Sequence, residues 1–341
     1  MITAREDVSG FAALADERAR ILEYLVQHMH ESLGQTAGFL AETTDYVLSA
    51  PGKLLRPLLL IDACKAAGGD PSLVFPAAAG TEYGHIASLI HDDIIDGDAQ
   101  RRGQDTLHVK YNVPAALLTG DYLIFHTFLC YTQCADSGVS AERVLKAIRM
   151  LSTTCIEMCQ GQALEAQVAG NLDTDEQTYL ELIRLKTATF CQSAAAIGAC
   201  LGGADDGATD ALSSYGTNLG MAFQIMDDIL SYDGSSFLMG KPLTSDFRNQ
   251  RVTLPIIYSL EAGGAATRTR LERLFATDSP AGPDAHGAVV HMLLTTRALD
   301  RARALAYRYT HKAKAALDRL PYTESRERLR SLADIFLTRV H

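Results

Sequence analysis

TEYGHIASLIHDDIIDGDAQRR, residues Thr81 to Arg102, is the stretch that decides how this chain is read. At helical periodicity Thr81, His85, Ser88, Asp92 and Asp96 share one side, while Ile86, Leu89, Ile90, Ile94 and Ile95 fill much of the rest. A polar stripe on an otherwise apolar helix predicts a wet cleft. The stripe ends in Asp92, Asp93 and Asp96, with Asp92 and Asp96 one turn apart and Asp93 beside them. Carboxylates that close repel unless positive charge sits between them. Hard oxygen donors on adjacent turns suit Mg²⁺, which is commonly held by one or two carboxylates plus substrate phosphates. A solvated helix end can carry the same pattern, so the motif alone decides little.

A second copy decides more. GMAFQIMDDILSYD, residues 220–233, places Gln224, Asp227, Asp228 and Ser231 as a polar strip among Met221, Phe223, Ile225, Met226, Ile229 and Leu230. Two acidic strips on two apolar helices predict one shared cavity.

Composition bounds the possibilities. The chain has 341 residues, 47% of them hydrophobic, which is ample for one large core or two average domains. A net charge of −10 argues against a nucleic-acid partner, which needs a basic face. The Cys130/Cys134 and Cys155/Cys159 pairs lie within apolar helical runs with no cleavable signal ahead of them, so the cysteines read as reduced core thiols. The same spacing could hold a metal, but no neighbouring His or Cys completes a set of four ligands. No uninterrupted apolar run reaches the length of a membrane span, and a cytoplasmic protein is expected.

Along the chain, Phe11–Leu33 carries a helical stripe (Leu14, Ile21, Leu22, Leu25, Met29) of scaffold type. Ser49-Ala50-Pro51-Gly52 breaks a second helix, and Lys53 and Arg56 stand at the entrance of the next, a plausible anion seat. The acidic helix starts after Asp70-Pro71 and runs to about Gly97, followed by a polar loop with Arg101 and Arg102, whose guanidinium forks suit diphosphate oxygens. Helical patterns follow at about 114–135, 141–169, 175–202 and 207–231, and no β-hairpin is expected. Lys186-Thr187 interrupts an apolar face. Residues 233–247, rich in Gly and Ser and holding Lys241, predict a flexible loop over the site, with Arg248 and Arg251 beyond. From Arg268 to the end the chain reads as outer helices without chemistry.

PGKLLRP, HIASLIHDDIIDGDAQRRGQDTLH, GQALE, LKTATF, QIMDDILSYDG and GKPLTSDFRNQRVTLP, taken in order over about residues 45 to 260, resemble the trans-isoprenyl diphosphate synthase (polyprenyl synthetase) family. The resemblance implies an all-α fold, a single large helical bundle (1–341) around a deep cavity, and a homodimer. It implies Mg²⁺-dependent head-to-tail addition of isopentenyl diphosphate to an allylic diphosphate. Asp92, Asp96 and Asp227 would then hold three Mg²⁺ ions on the allylic diphosphate, supported by Asp93 and Asp228. Arg101, Lys186, Lys241 and Arg251 would grip that diphosphate, and Lys53, Arg56, His85 and Arg102 would seat isopentenyl diphosphate. Thr187 and Gln224 would offer oxygens to the nascent cation.

Three positions depart from the family pattern. Leu54 replaces an arginine, Pro51 a glycine, and Ser231 the third aspartate of the second motif. The serine raises the rival of a class I terpene cyclase, but Ser235 stands where that motif needs glutamate and the chain has no Trp. The same motifs would also suit a farnesyl or geranylgeranyl diphosphate synthase of this family, or a silent partner subunit. Small residues before the first motif, Ala87 and Ser88 with Gly84 a turn away, imply a product longer than C20, with Phe125, Phe128 or Met158 as a floor.

Overall fold

The computed structural model describes residues 6–33, 38–50, 52–232, 249–275 and 283–337. Its helices are α1 Glu6–Leu33, α2 Gly38–Leu48, α3 Leu55–Ala66, α4 Phe75–Asp96, α5 Leu107–Lys110, α6 Val113–Gln133, α7 Ala141–Val168 and α8 Glu176–Ile183. They continue as α9 Thr189–Gly202, α10 Asp206–Leu230, α11 Leu254–Phe275, α12 Pro283–Thr295, α13 Ala298–Leu317 and α14 Glu324–Leu337. The all-α expectation holds, with one addition: β1 Gln100–Arg101 pairs with β2 Gln104–Asp105. Arg102 and Gly103 turn that hairpin with φ of 53° and 79°, the left-handed geometry a two-residue hairpin turn demands. Only the glycine announces such a turn in sequence.

The termini of these helices are set locally. Asp70 accepts from Ser72 N at 2.9 Å to start the short 3₁₀ turn Pro71–Val74 that leads into α4. Gly97 ends α4 with φ 64° and returns its N–H to Asp93 O, so the acidic residues occupy the last turn. Asn112 and Asp175 cap α6 and α8 by accepting from Ala115 N and Thr178 N, each at 2.8 Å.

The chain forms two compact units. One comprises Met1–Leu151, Ala194–Asp210 and Leu320–Leu329; the other comprises Ser152–Ser193, Ala211–Arg319 and Arg330–His341. In the first, Ile21, Leu25 and Met29 bury the α1 stripe as expected, and Tyr83 Oη donates to Leu25 O at 2.6 Å. Arg328 of α14 joins Glu17 of α1 and Asp62 of α3, with Lys65 completing the pairing of Glu17. The final helix therefore carries a buried ionic tie as well as an outer surface. Helices α4 and α6 lie in close contact at two glycines. A Cβ on Gly80 would come within 2.9 Å of Thr127 O and Cys130 Cβ, and one on Gly120 would run into the His91 ring.

Helix α6 has the length and mean hydropathy of a membrane span although Asp121 and His126 interrupt its apolar run, as expected, and 44% of its apolar window is buried within the fold. The composition is that of a core helix on one side only. Phe125 is 73% exposed, which removes it as the floor of an internal pocket. Ile95 is exposed, not packed, and Thr81 is fully buried, sharing a hydrogen bond with Tyr131 Oη at 2.9 Å, so the polar stripe is dry at its start. Cys130 and Cys134 are buried thiols as expected, whereas Cys159 is exposed.

In the second unit Tyr179, Ile183, Ile225, Ile229, Tyr232 and Ile256 belong to one core that also takes in α12 and α13. A single π turn, Arg184–Ala188, interrupts the predicted helix between α8 and α9 and carries Lys186 and Thr187.

The α4–α6 contact can be tested by adding single methyl groups. Gly80→Ala meets backbone and should cost about 1–3 kcal/mol, more than the ~1 kcal/mol gained in helix propensity. Gly120→Ala meets only a side-chain ring that can turn aside and should be near neutral. Urea unfolding of the two variants should rank Gly80→Ala well below Gly120→Ala, and equal midpoints would refute the close packing.

Candidate active site

The first unit gathers the N-terminal half of the predicted site. Asp93 is turned inward and buried at the end of α4, where Arg101 Nε donates to its Oδ1 at 2.5 Å. Burial still pushes its carboxyl up to about 6, against the lowering effect of Arg101. Asp92 and Asp96 are half-buried and reach solvent. The hairpin thus supplies Arg101 first as a partner to a protein carboxylate, and its expected diphosphate contact must be made from that position.

Arg56, His85 and Arg102 come together beside this helix. Arg56 Nη1 donates to His85 Nε2 at 3.2 Å. Since a guanidinium can only donate, the imidazole Nε2 must accept, which leaves the proton on Nδ1. Burial, with Arg56, Arg102 and Arg101 nearby, drives His85 well below its ordinary range, so the ring is neutral. Arg102 Nη1 donates to Ala50 O at 3.0 Å, and Arg18 Nη2 to Gly52 O at 3.1 Å, fixing the turn ahead of α3. Lys53 is exposed at that turn. Leu54, in the place of a family arginine, is 2% exposed with φ 53° and serves as the residue before α3.

One member of this group carries no motif in the sequence. Glu82 lies one turn before His85 and is 2% exposed, with Arg56 and Arg102 as its electrostatic partners. Desolvation raises its carboxyl to about 7. A lone glutamate among apolar residues, three before a site histidine, was the available signal.

The second unit holds the C-terminal half. Thr187 Oγ1 donates to Gln224 Oε1, Gln224 Nε2 to Asp228 Oδ1, and Tyr179 Oη to Asp228 Oδ2, at 2.8, 2.8 and 2.7 Å. Asp228 is buried and so anchored, while Asp227 beside it is exposed and Ser231 Oγ donates to Asp227 O at 3.3 Å. Lys186 Nζ lies 2.5 Å from Glu165 Oε2, and Arg251 Nε 3.2 Å from Glu165 Oε1. Glu165, the last residue of the GQALE stretch, therefore binds two of the cations expected to grip diphosphate. The approach of α7 to this point requires Gly161, whose Cβ would come within 2.5 Å of Lys186 N. Lys241 and the loop 233–247 lie outside the described residues. Of the chain-length positions, Ala87 is fully buried and Ser88 half-buried, its hydroxyl donating to His85 O at 2.8 Å.

The donor chemistry fits hard divalent ions. Asp92 and Asp96 offer carboxylates one turn apart and Asp227 offers another, while the buried aspartate of each motif is held by the chain's own donors.

The family model described as Polyprenyl synthetase matches residues 38–292. The chain is 33% identical over 342 residues to a short chain isoprenyl diphosphate synthase of Methanothermobacter thermautotrophicus, covering 100% of each. It is 33% identical over 327 residues to heptaprenyl diphosphate synthase component 2 of Geobacillus stearothermophilus, covering 95% of this chain and 96% of that protein. Among solved structures, a polyprenyl synthase from Caulobacter crescentus CB15, complexed with calcium and isoprenyl diphosphate, superposes with a TM-score of 0.87 at 30% identity, covering 98% of each chain.

Glu82 gives a pH prediction. Its folded value is raised from the ordinary 4.5 to about 7, so the folded chain holds the proton longer than the unfolded chain. Stability from this group is fully present below about 4.5 and is lost as pH rises through about 7, amounting to about 3 kcal/mol over that window. Glu82→Gln removes the titration. The stability of the natural chain relative to Glu82→Gln should therefore fall between pH 5 and pH 8 in denaturant melts, and parallel pH profiles would refute the assignment.

Proposed function

This chain belongs to the polyprenyl synthetase family and is a prenyltransferase, and we propose that it condenses isopentenyl diphosphate head to tail with an allylic diphosphate, with both acidic motifs serving one substrate. The observation that carries this reading is the repeated design of the two motifs. Each has one aspartate buried and held by the protein, Asp93 or Asp228, beside carboxylates that reach solvent, Asp92 and Asp96 or Asp227.

Three Mg²⁺ ions held by Asp92, Asp96 and Asp227 would stabilise the charge that develops on the departing allylic diphosphate. Arg101, Lys186, Lys241 and Arg251 grip that group in this reading. Glu165 keeps Lys186 and Arg251 folded inward until a diphosphate offers them a better anion. Lys53, Arg56, His85 and Arg102 seat isopentenyl diphosphate, with His85 as a neutral donor through Nδ1. Thr187 and Gln224 turn oxygen lone pairs to the allylic cation, and apolar walls keep water from capturing it. The proton lost after coupling passes to released diphosphate. Residues 1–341 act as one catalytic domain in this reading, in the cytoplasm.

Incubation with an allylic diphosphate, with and without labelled isopentenyl diphosphate, separates the readings. Elongation that requires isopentenyl diphosphate and falls about 10²- to 10³-fold in Asp92→Asn and Asp227→Asn is expected. A cyclic hydrocarbon formed without it would establish the cyclase instead. The product is expected to exceed C20, and Ala87→Phe to shorten it. An unchanged product distribution would remove Ala87 from the pocket wall.

The exposed apolar face of α6, with Leu117, Leu118, Phe125 and Leu129, supports a homodimer that covers it. Light scattering should give a dimer that Phe125→Glu and Leu129→Glu convert to monomer. Since one relative is named as a component, a chain that is inactive alone and active only with a second protein would point to a heteromer.

A further inference from the structure

His28 on α1 and His126 and Cys130 on α6 bring two imidazoles and a thiol together in the first unit, and none of them takes part in the proposed condensation. His28 Nδ1 lies 3.4 Å from His126 Nε2 and 3.9 Å from Cys130 Sγ, and all three atoms fall within 4.8 Å of one another. A tetrahedral ion with about 2.0–2.1 Å to nitrogen and about 2.3 Å to sulfur would set the nitrogens about 3.3 Å apart and each about 3.5 Å from sulfur. The two His28 spacings need to close by a few tenths of an ångström, and the His126–Cys130 side, which lies within 4.8 Å, by up to about 1.3 Å. Gln133 Oε1 accepts from His28 Nε2–H at 2.9 Å, which puts the lone pair of that ring on Nδ1, facing the other two groups. Tyr24 stacks on His28 at 5.5 Å and Tyr122 on His126 at 5.7 Å, while Tyr83 packs against both rings. The rings are thus oriented by partners outside the cluster, as ligands to a metal are.

We propose that this cluster is an open zinc site between α1 and α6, with His28 Nδ1, His126 Nε2 and Cys130 Sγ as its three protein ligands and water as the fourth. On binding, the Cys130 thiol releases its proton to solvent as the zinc–sulfur bond forms. Both imidazoles stay neutral, His126 carrying its proton on Nδ1. Nothing is oxidised or reduced, and the ion with its one thiolate keeps a net charge of +1. The thiolate and imidazole donors select Zn²⁺ over the Mg²⁺ that suits the aspartates, so the two metals do not compete.

The test uses the full chain, stripped with chelator and held in excess Mg²⁺ while Co²⁺ is added as a spectroscopic probe. One equivalent should produce a near-ultraviolet thiolate-to-cobalt band that one equivalent of Zn²⁺ abolishes, and Zn²⁺ should raise the unfolding temperature. Cys130→Ala should lose the band, Cys134→Ala should keep it, and His28→Gln should weaken Co²⁺ binding by about tenfold or more. His28 is half-buried, so this variant remains informative if substitution of buried Cys130 prevents folding. A natural chain without the band under excess Co²⁺ would overturn the proposal. So would a band that survives in folded Cys130→Ala, or Co²⁺ affinity unchanged in His28→Gln.

Discussion

A carboxylate withdrawn from water must be met by a fixed positive charge or by hydrogen-bond donors, and that requirement organises both acidic helix ends. Arg101 meets Asp93, and Tyr179 with Gln224 meets Asp228. These are the inner members of two aspartate pairs. Their outer neighbours, Asp92 and Asp227, reach solvent because the helix turns them away from the buried side. Adjacent positions on one helix thereby divide into a buried, protein-held carboxylate and a solvent-facing one. The same rule explains Glu82 beneath Arg56 and Arg102, and Glu165 between Lys186 and Arg251. The cations proposed to grip diphosphate are thus paired with carboxylates, which fixes their directions and limits their repulsion of one another.

Helix α6 shows how one apolar segment can serve several ends. Its small residue Gly120, with Gly80 on α4, lets the two helices approach closely. A second side carries His126 and Cys130 toward α1, and a third leaves Phe125 and Leu129 exposed. Mean apolarity alone makes this helix resemble a membrane span. Its division into a face against α4, a face against α1 and an outward face gives it the roles it has in a globular unit.

Much of this was legible in the chain. Periodicity placed the ends of α6, α7 and α10 within a few residues, because a helix needs only local hydrogen bonds and one apolar stripe, but it set no bounds for α11 or α13. Gly97 and Asn112 marked ends through chemistry within a turn of themselves. The spacing of Asp92 and Asp96 likewise put two carboxylates on one face by helix geometry alone. Family resemblance then supplied roles that spacing could not. What failed to show was the identity of each buried partner. Thr81 read as part of a wet stripe, and only Tyr131, fifty residues away, makes its position dry.

The sequence by itself determined the helices, their polar faces and the two acidic motifs, since all three follow from interactions within a few residues. Tertiary structure alone decided that Glu82 and Glu165 are the counter-charges of site cations, that Arg102 is held at a hairpin tip, and that His28 meets His126 and Cys130. Periodicity tells which side of a helix is buried or polar. It carries no information on which distant helix arrives there, because that depends on packing between segments whose separation along the chain, 98 residues for the two histidines, leaves no local trace.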